Sequence, residues 1–239
     1  MTMEYEIRYD LLQPWSTFVM KTELPPDILE KMLRISDEII ENNEDNQTDS
    51  EQGAHLRLDP TTGSNKWGVG AGQLKDQFFI DLAILEREEI QKYFSGVCTH
   101  FVELAFGQSN PGEIQEELHA WPTTMWINSQ KDNEYFPAHD HAHEDAIAAA
   151  MYLKIPEYLP DRKVYSGFAP EDGAIVFINN SSTDKIWAHN EFYVLPEVGD
   201  LLIFPASQQH MVYPFRTADG KGERRSVSFN ATFTSKSNK

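Results

Sequence analysis

The 239-residue chain has little cysteine, little positive charge and no long apolar run, and each shortage excludes a class of protein. Its single cysteine, Cys98, excludes an internal disulfide framework and a cysteine-based zinc site. Its 20 Lys and Arg against 38 Asp and Glu leave a net charge of −18. This charge argues against nucleic acid or an anionic membrane as a partner, because both need clustered positive side chains. No run is apolar enough to span a bilayer and no signal peptide is visible, so we expect a cytoplasmic protein.

The rest of the composition is that of a folded protein with a sizeable core. Apolar residues make up 40% of the chain and aromatic residues 12%, which excludes wholesale disorder despite the acidity. The length suits one domain over 1–239. Within it we expect a helix-rich N-terminal part over about 1–118 and a β-rich core over about 119–235.

Two amphipathic helices are predicted in the N-terminal part. Pro25 and Pro26 precede apolar residues that recur at helical spacing over 28–40, and a second helix is expected over about 82–106. Cys98 lies beside the apolar stripe of the second helix, so we interpret it as a buried small side chain rather than a nucleophile. A polar loop over about 41–72 separates the helices, and its glycine-rich run 68–72 lacks the lysine of phosphate-binding loops.

The C-terminal half contains short apolar runs between Gly, Pro and Asn/Asp turns, which is typical of an antiparallel sandwich or barrel. The predicted strands cover 125–128, 148–155, 173–178, 192–195, 201–204, 211–213 and 224–233. The predicted fold class is therefore α+β and mainly β: a jelly-roll or cupin-like barrel with the N-terminal helices packed against it.

Histidine clustering is the first sign of chemistry. Three of the eight histidines fall within five residues, at His139, His141 and His143. On an extended chain alternate side chains point to one side, so two of these imidazoles can converge on one point. A solvated polar loop that happens to contain histidine is the alternative. His210 follows a turn glycine, an apolar strand and a proline, which would place it at the mouth of a barrel, and its combination with the cluster favours a metal site.

The last predicted strand carries a candidate anion site. Period-2 alternation puts Arg224, Ser226 and Ser228 on one face, and Arg225 on the other. An arginine and a serine on a face that lines a barrel can hold a carboxylate, through the guanidinium fork and the hydroxyl. The alternative is a strand edge that faces solvent.

Six short motifs occur in a fixed order along 120–231, about half of the chain. They are Trp126-Ile-Asn128, Pro137-Ala-His139-Asp-His141, Tyr152-Leu-Lys-Ile-Pro156, Gly199-Asp-Leu-Leu-Ile-Phe-Pro205, His210-Met-Val-Tyr-Pro214 and Arg224-x-Ser226-x-Ser228-x-Asn230. Together they resemble the 2-oxoglutarate/Fe(II)-dependent oxygenase family found in marine bacteria and phages. The N-terminal half shows no comparable match.

The resemblance implies a double-stranded β-helix with ferrous iron on a facial triad and 2-oxoglutarate as co-substrate. By matching positions it implies His139, His141 and His210 as metal ligands, with no catalytic side chain beyond them. It also implies Arg224 and Ser226 as the grip on the distal carboxylate of 2-oxoglutarate. The implied reaction is decarboxylation of 2-oxoglutarate to succinate, coupled to hydroxylation of a nearby C–H bond. The residues implied to line the co-substrate pocket are Asn128, Tyr152 and Tyr213.

One departure from the superfamily leaves the first ligand pair open, since its usual pattern is His-x-Asp or His-x-Glu. Counting from the upstream motif favours His139 with His141, and counting back from the downstream motif favours His141 with His143. The literal His-x-Asp is His143 with Asp145. The intact Pro-x-His-x-His run favours the first pair. Three neutral imidazoles would leave Fe(II) with two positive charges, so the choice should alter co-substrate affinity.

Two other functions remain open. The segment from Gly199 to His210 also resembles the second cupin motif, with Ser207 where that motif has glycine. Such barrels include isomerases and dioxygenases that use no keto acid, and they have no use for the carboxylate grip at Arg224. A non-enzymatic jelly-roll binding or structural module is the other alternative, with a metal site that is coordinatively closed.

The primary substrate is not readable from the sequence. A small molecule or a side chain fits the resemblance, whereas the net charge of −18 disfavours a polyanion. The N-terminal helices could also form the face of a homodimer.

Overall fold

The structure, a computed structural model, describes residues 8–12, 18–44, 74, 76–109, 117–141, 146–159, 172–179 and 190–235. The helices are α1 Pro26–Glu44, α2 Ala83–Arg87 and α3 Gln91–Ser109. The strands are β1 Tyr9–Leu12, β2 Val19–Glu23, β3 Asp76–Phe79, β4 Leu118–Lys131, β5 Phe136–His139, β6 Ile147–Lys154, β7 Ile175–Ile178, β8 Glu191–Val194, β9 Asp200–Pro205, β10 His210–Val212 and β11 Glu223–Ser235.

The strands form two antiparallel sheets. A seven-stranded sheet has the order β1-β2-β9-β6-β11-β4-β3, and a four-stranded sheet has the order β5-β10-β7-β8. From β4 onward the chain alternates between the two sheets, apart from the consecutive pair β7 and β8. This alternation is the strand path of a double-stranded β-helix, and it confirms the prediction of a mainly β, jelly-roll fold.

The two faces of the seven-stranded sheet contribute to separate cores. Because side chains alternate along a strand, Ile127 and Val227 lie in a cluster with residues of α1 and α3. Tyr152 and Phe204 face the other way, into a second cluster that includes Phe177 of the four-stranded sheet. The helices therefore cover one face of the large sheet, and the space between the sheets lies on the other face.

Helix α1 begins where the sequence predicts. Proline suits the first turn of a helix because the amide hydrogen it lacks has no partner there, and Asp27 lies at the positive end of the helix dipole. The buried face of the helix consists of Ile28, Met32 and Ile35. The helix continues to Glu44, so the first residues of the predicted polar loop are helical. The rest of that loop, including the glycine-rich run, lies outside the described residues.

The prediction of one long helix over 82–106 is wrong. Glu89 adopts a positive φ of 60°, which a helix interior does not tolerate, and it separates α2 from α3. Cys98 on α3 has no exposed surface, and burial raises the pKa of its thiol to about 12. The prediction of an inert, buried cysteine is therefore confirmed.

The predicted strands of the C-terminal half are all present, with ends shifted by a few residues, whereas β4 extends well beyond the predicted 125–128. Four strands were not predicted. They are β1, β2, β3 and β5. Three of these lie in the part expected to be helix-rich, and they extend the large sheet at both edges. Among the described residues, no helix is both long and apolar enough to cross a membrane.

Candidate metal centre and adjoining cavity

Strand pairing brings His139 and His210 together. His139 ends β5, His210 begins β10, and the two residues are direct partners in the antiparallel register of the small sheet. His141 lies two residues beyond β5, where its backbone amide donates to the carbonyl of Ala206 at 2.8 Å. This bond ties the segment after β5 to the end of β9, so that residues about 70 positions apart in sequence meet.

The three imidazoles surround one point. Their candidate ligand nitrogens all lie within 4.8 Å of one another. The ring centroid of His139 lies 4.2 Å from that of His210 and 5.0 Å from that of His141. The convergence predicted from the sequence is therefore observed. His143 and Asp145, the alternative ligands, lie outside the described residues.

Backbone carbonyls select the ring nitrogen that each of two histidines presents. The Nδ1 of His139 lies 2.8 Å from the carbonyl oxygen of Pro137, and the Nδ1 of His210 lies 3.0 Å from that of Gln208. A carbonyl can only accept, so each Nδ1 carries the proton and donates it. The Nε2 atoms are then left with a free lone pair, which is the tautomer that binds a metal.

The surroundings keep the imidazoles of His139 and His210 neutral. Burial lowers the pKa of His210 well below its ordinary value, and the neighbouring His139 lowers it further. Burial also lowers the pKa of His139 to about 4, although the hydrogen bond that its Nδ1 donates to the Pro137 carbonyl acts in the opposite direction. Neutral imidazole is the metal-binding form, and three such nitrogens suit a divalent ion such as iron, zinc, nickel or copper.

The histidines stand at one side of a cavity of about 870 Å³ between the two sheets. Asn128 and Tyr152 line this cavity, as the resemblance implies, and so do Arg224 and Ser226. Tyr213 is not among the lining residues; alternation along β10 places Val212 there instead. The amide of Asn128 is engaged within the wall, because it accepts from Gln77 and donates to Ser228.

Arg224 is a buried cation with few partners. Its side chain is 2% exposed, and its guanidinium carbon lies 4.9 Å from the ring centroid of Tyr152. Its Nη1 donates to Oε1 of Gln130 at 3.3 Å, while its Nε is buried with no hydrogen-bond partner. No described carboxylate forms an ion pair with it. A buried charge without a counter-ion lowers the stability of the fold. We therefore expect Arg224 to bind an anion that is not part of the chain.

Gln130 is a site residue that the sequence analysis missed. Its Nε2 donates to the carbonyls of Glu134 and Tyr213, which fixes the amide so that Oε1 points at Arg224. The signal was available in the sequence, since Trp126, Asn128 and Gln130 share one face by alternation along β4. Only the central residue of this row was recognised.

These groups fit ferrous iron and 2-oxoglutarate. Three neutral nitrogen donors occupy half of an octahedron and leave three positions open, enough for a bidentate keto acid and dioxygen. Arg224, whose Nε lacks a partner, and Ser226 line the same cavity, and a guanidinium with a hydroxyl suits the remaining carboxylate.

Comparison with the solved structure of AviO1 supports the fold. AviO1 from Streptomyces viridochromogenes Tue57 is 12% identical over 90% of this chain and 89% of its own, with a TM-score of 0.53. A prolyl-4-hydroxylase from Pseudomonas putida is 16% identical over 89% of this chain and 91% of its own, with a TM-score of 0.48.

A 2OG-Fe(II) oxygenase family oxidoreductase from Burkholderia pseudomallei is 14% identical over 63% of this chain, with a TM-score of 0.36. The match spans only 54% of that protein. A search of the curated proteins found no match. At these identities the likeness to AviO1 shows a shared fold alone.

A comparison with protein-family models goes further for the β-rich half. Residues 124–230 match the family described as "Putative 2OG-Fe(II) oxygenase". This segment runs from β4 to β11 and contains all three converging histidines as well as Arg224. The match confirms the resemblance drawn from the motifs, and it covers residues 124–230, somewhat less than half of the chain.

Proposed function

We propose that this chain is an Fe(II)- and 2-oxoglutarate-dependent oxygenase of the hydroxylase type. One observation carries the proposal: a single cavity contains three converging imidazoles and a buried arginine that has no counter-ion among the described residues. The first feature is a site for a divalent metal, and the second is a site for an anion. A compound that chelates the metal and also extends a carboxylate to the arginine would use both.

The three histidines would hold the iron. Their protonated Nδ1 atoms, where defined by the carbonyls of Pro137 and Gln208, leave Nε2 as the ligand atom of His139 and His210. Bound there, Fe(II) with 2-oxoglutarate supplies the oxidation of a C–H bond by dioxygen, with release of succinate and carbon dioxide. Since the ligands are neutral, the chain adds no negative charge to the metal and leaves its affinity for an anionic chelate undiminished.

Arg224 and Ser226 would hold the distal carboxylate of 2-oxoglutarate. The guanidinium is held in place by Gln130 and by the ring of Tyr152, so little side-chain entropy remains to be lost on binding. The carboxylate would satisfy the unpartnered Nε and neutralise the buried charge. Phe204 also lines the cavity, with its ring centroid 4.8 Å from that of His210, and would help to exclude water from the metal.

The same arginine separates this function from the cupin alternative. A cupin that uses no keto acid needs metal ligands but no buried guanidinium beside them. A purely structural metal site would likewise be closed, whereas three histidines leave coordination positions open. We propose a small molecule or a side chain as the primary substrate, because the remaining cavity space is limited.

The first experiment measures metal content and 2-oxoglutarate binding on the full chain, by elemental analysis and by anaerobic calorimetry. We expect one divalent ion per chain and 2-oxoglutarate binding that requires the metal. His210→Ala should lose both, because the most buried ligand is gone. His119→Ala is the matched control, since His119 is exposed on β4 and stacks on Trp121 outside the cavity.

The outcomes separate the three functions. Metal binding without 2-oxoglutarate binding would favour the cupin alternative or a metal site with a purely structural role. Loss of neither property in His210→Ala would contradict the proposed ligand set. The oxygenase would be supported if the wild type and His119→Ala released succinate, and if this release required both iron and 2-oxoglutarate. His210→Ala should then release none.

A further inference from the structure

One wall of the cavity consists of polar side chains from three adjacent strands. Gln77 of β3 donates from Nε2 to Oδ1 of Asn128 at 2.6 Å, and Asn128 donates from Nδ2 to Oγ of Ser228 at 2.9 Å. Asn230 follows Ser228 on the same face of β11. We name Gln77, Asn128, Ser228 and Asn230 the amide row, and all four line the cavity.

The amide row has hydrogen-bonding capacity left over. The hydroxyl of Ser228 accepts from Asn128, so its own proton remains for another acceptor. Oδ1 of Asn230 is buried without a partner in the described part of the chain. A buried polar atom that lacks a partner lowers stability, so its retention indicates that something else satisfies it. The wall thus offers one donor and one acceptor, on side chains two residues apart.

The side chains of the amide row carry no charge. Among the described lining residues, Arg224 is the only permanent cation, and the proposed function assigns it to 2-oxoglutarate. A second anion would therefore find no counter-ion there. Beside the row, Phe79 and Trp126 are paired across β3 and β4 and offer an aromatic surface; Phe79 is 43% exposed. Large exposed aromatic side chains at a cavity commonly mark a binding surface.

We propose that the amide row is the subsite for the primary substrate, and that it takes an uncharged carboxamide next to an aromatic or apolar group. The amide carbonyl would accept from the hydroxyl of Ser228, and the amide N–H would donate to Oδ1 of Asn230. Gln77 acts as a positioning residue, because it fixes the amide of Asn128 and hence the hydroxyl of Ser228. This assignment rests on the proposed function, which places 2-oxoglutarate at Arg224.

The subsite also gives the N-terminal half a role in specificity. Gln77 and Phe79 lie outside the segment 124–230 that matches the oxygenase family. Strand β3 pairs with β4 at the edge of the large sheet, and this pairing places both side chains at the cavity. The oxidising centre would therefore lie within the matched segment, whereas the substrate wall would combine residues of that segment with Gln77 and Phe79 of the N-terminal half.

Three small probes test the subsite on the full chain loaded with Zn(II) and 2-oxoglutarate, by ligand-observed NMR titration. Benzamide has a ring, a carbonyl and N–H donors; methyl benzoate lacks the donors; benzoate is an anion. We expect benzamide to bind about five- to tenfold more tightly than methyl benzoate, the worth of one hydrogen bond to a buried acceptor. Benzoate should bind most weakly.

Variants then locate the effect. Asn230→Leu keeps the branched shape and the number of side-chain heavy atoms, and it should reduce benzamide affinity to that of the ester. Gln77→Met should reduce benzamide affinity about two- to threefold. Thr234→Val is the control, because Thr234 is exposed near the end of β11. The melting temperature of Asn230→Leu should be unchanged or higher, since the variant removes an unsatisfied buried atom. If Asn230 had a structural role instead, its replacement would lower the melting temperature.

Binding of 2-oxoglutarate is measured first on each sample, so that failure of the subsite and failure of the proposed function are distinguished. If 2-oxoglutarate binds and the three probes bind equally, or not at all, the carboxamide subsite is wrong. Benzamide affinity that is insensitive to Asn230→Leu would also overturn it.

Discussion

Arg224 and Arg225 are neighbours on β11, and both are buried, at 2% and 4% exposure, yet they are opposite in their surroundings. Alternation sends Arg224 into the cavity between the sheets and Arg225 to the helix-covered face of the large sheet. The cavity-facing arginine has a buried Nε without a partner. The helix-facing arginine has every group of its guanidinium engaged by the chain.

Arg225 joins three elements of the fold. Its Nε and Nη2 donate to the carboxylate of Glu223, and its Nη1 donates to Ser36 and Asp37 of α1. Asp37 is also paired with Lys154 of β6 at 2.7 Å. The cluster ties helix α1 to the large sheet directly behind the cavity wall.

The contrast shows how two buried charges of one kind differ in purpose. A cation that the fold satisfies is part of the architecture, and its removal should be felt in stability. A cation that the fold leaves unsatisfied lowers stability until an anion arrives, and its removal should be felt in binding. Three predictions test this distinction.

The largest expected effect is on binding at the cavity-facing arginine. Arg224→Met should weaken 2-oxoglutarate binding about 100-fold, or about 3 kcal/mol, because a buried charge-assisted contact is lost. The melting temperature of the ligand-free chain should stay the same or rise. Metal content should not change, since the histidines are untouched. A fall in stability with unchanged 2-oxoglutarate affinity would reverse the roles of the two arginines.

The helix-facing arginine should show the opposite pattern. Arg225→Met should destabilise the fold by about 2 kcal/mol, less than for a fully buried pair because Asp37 is 41% exposed. Denaturant unfolding measures the change. Affinity for 2-oxoglutarate in the folded chain should change less than about threefold, because Arg225 does not line the cavity. A 100-fold loss of binding with normal stability would contradict the assignment.

The smallest expected effect is the pH dependence of the stability contributed by the Arg225 cluster, which consists of Arg225, Glu223, Asp37 and Lys154. Burial opposes ionisation of Glu223 and Asp37, but hydrogen bonds from Ser129, Lys154 and Arg225 outweigh it and lower both pKa values. The cluster therefore stabilises the fold fully above the ordinary pKa values of 4.5 and 3.8, and this contribution is lost as the pH falls through the lowered values.

The difference in unfolding free energy between the wild type and Arg225→Met should accordingly narrow, from about 2 kcal/mol at pH 7 to below about 1 kcal/mol near pH 3. Thermal unfolding across this pH range measures it. A difference that is constant with pH would mean that the cluster's ion pairs do not account for the stability lost in the variant.

The β-rich half was more predictable than the N-terminal half. Its strands are apolar and bounded by turn residues, and alternation along β11 correctly placed Arg224 and Ser226 on the cavity face. The meeting of His139 with His210 was also predicted, because the order of motifs resembles one family.

The errors have local physical causes. The helix over 82–106 was predicted as continuous because apolar spacing continues past Glu89, and its positive φ has no sequence signal of the kind that glycine provides. Tyr213 was placed in the cavity by a motif, but alternation along β10 gives that position to Val212. Strand β3 was missed because its four residues, Asp76–Phe79, form a strand by pairing with the edge of β4.

The chain's own pattern was sufficient for the fold class and for the face of Arg224, because turn residues and period-2 alternation act locally along the backbone. The choice of His139 and His141 as the partners of His210 depended on the order of the motifs as well. Tertiary contacts alone settled that the guanidinium of Arg225 is fully hydrogen-bonded, whereas Nε of the adjacent Arg224 has no partner. They also settled that Gln77, from an edge strand far away in sequence, completes the polar wall. Hydrogen bonds across strands and between a helix and a sheet depend on which distant segments are brought together, and no local pattern encodes that.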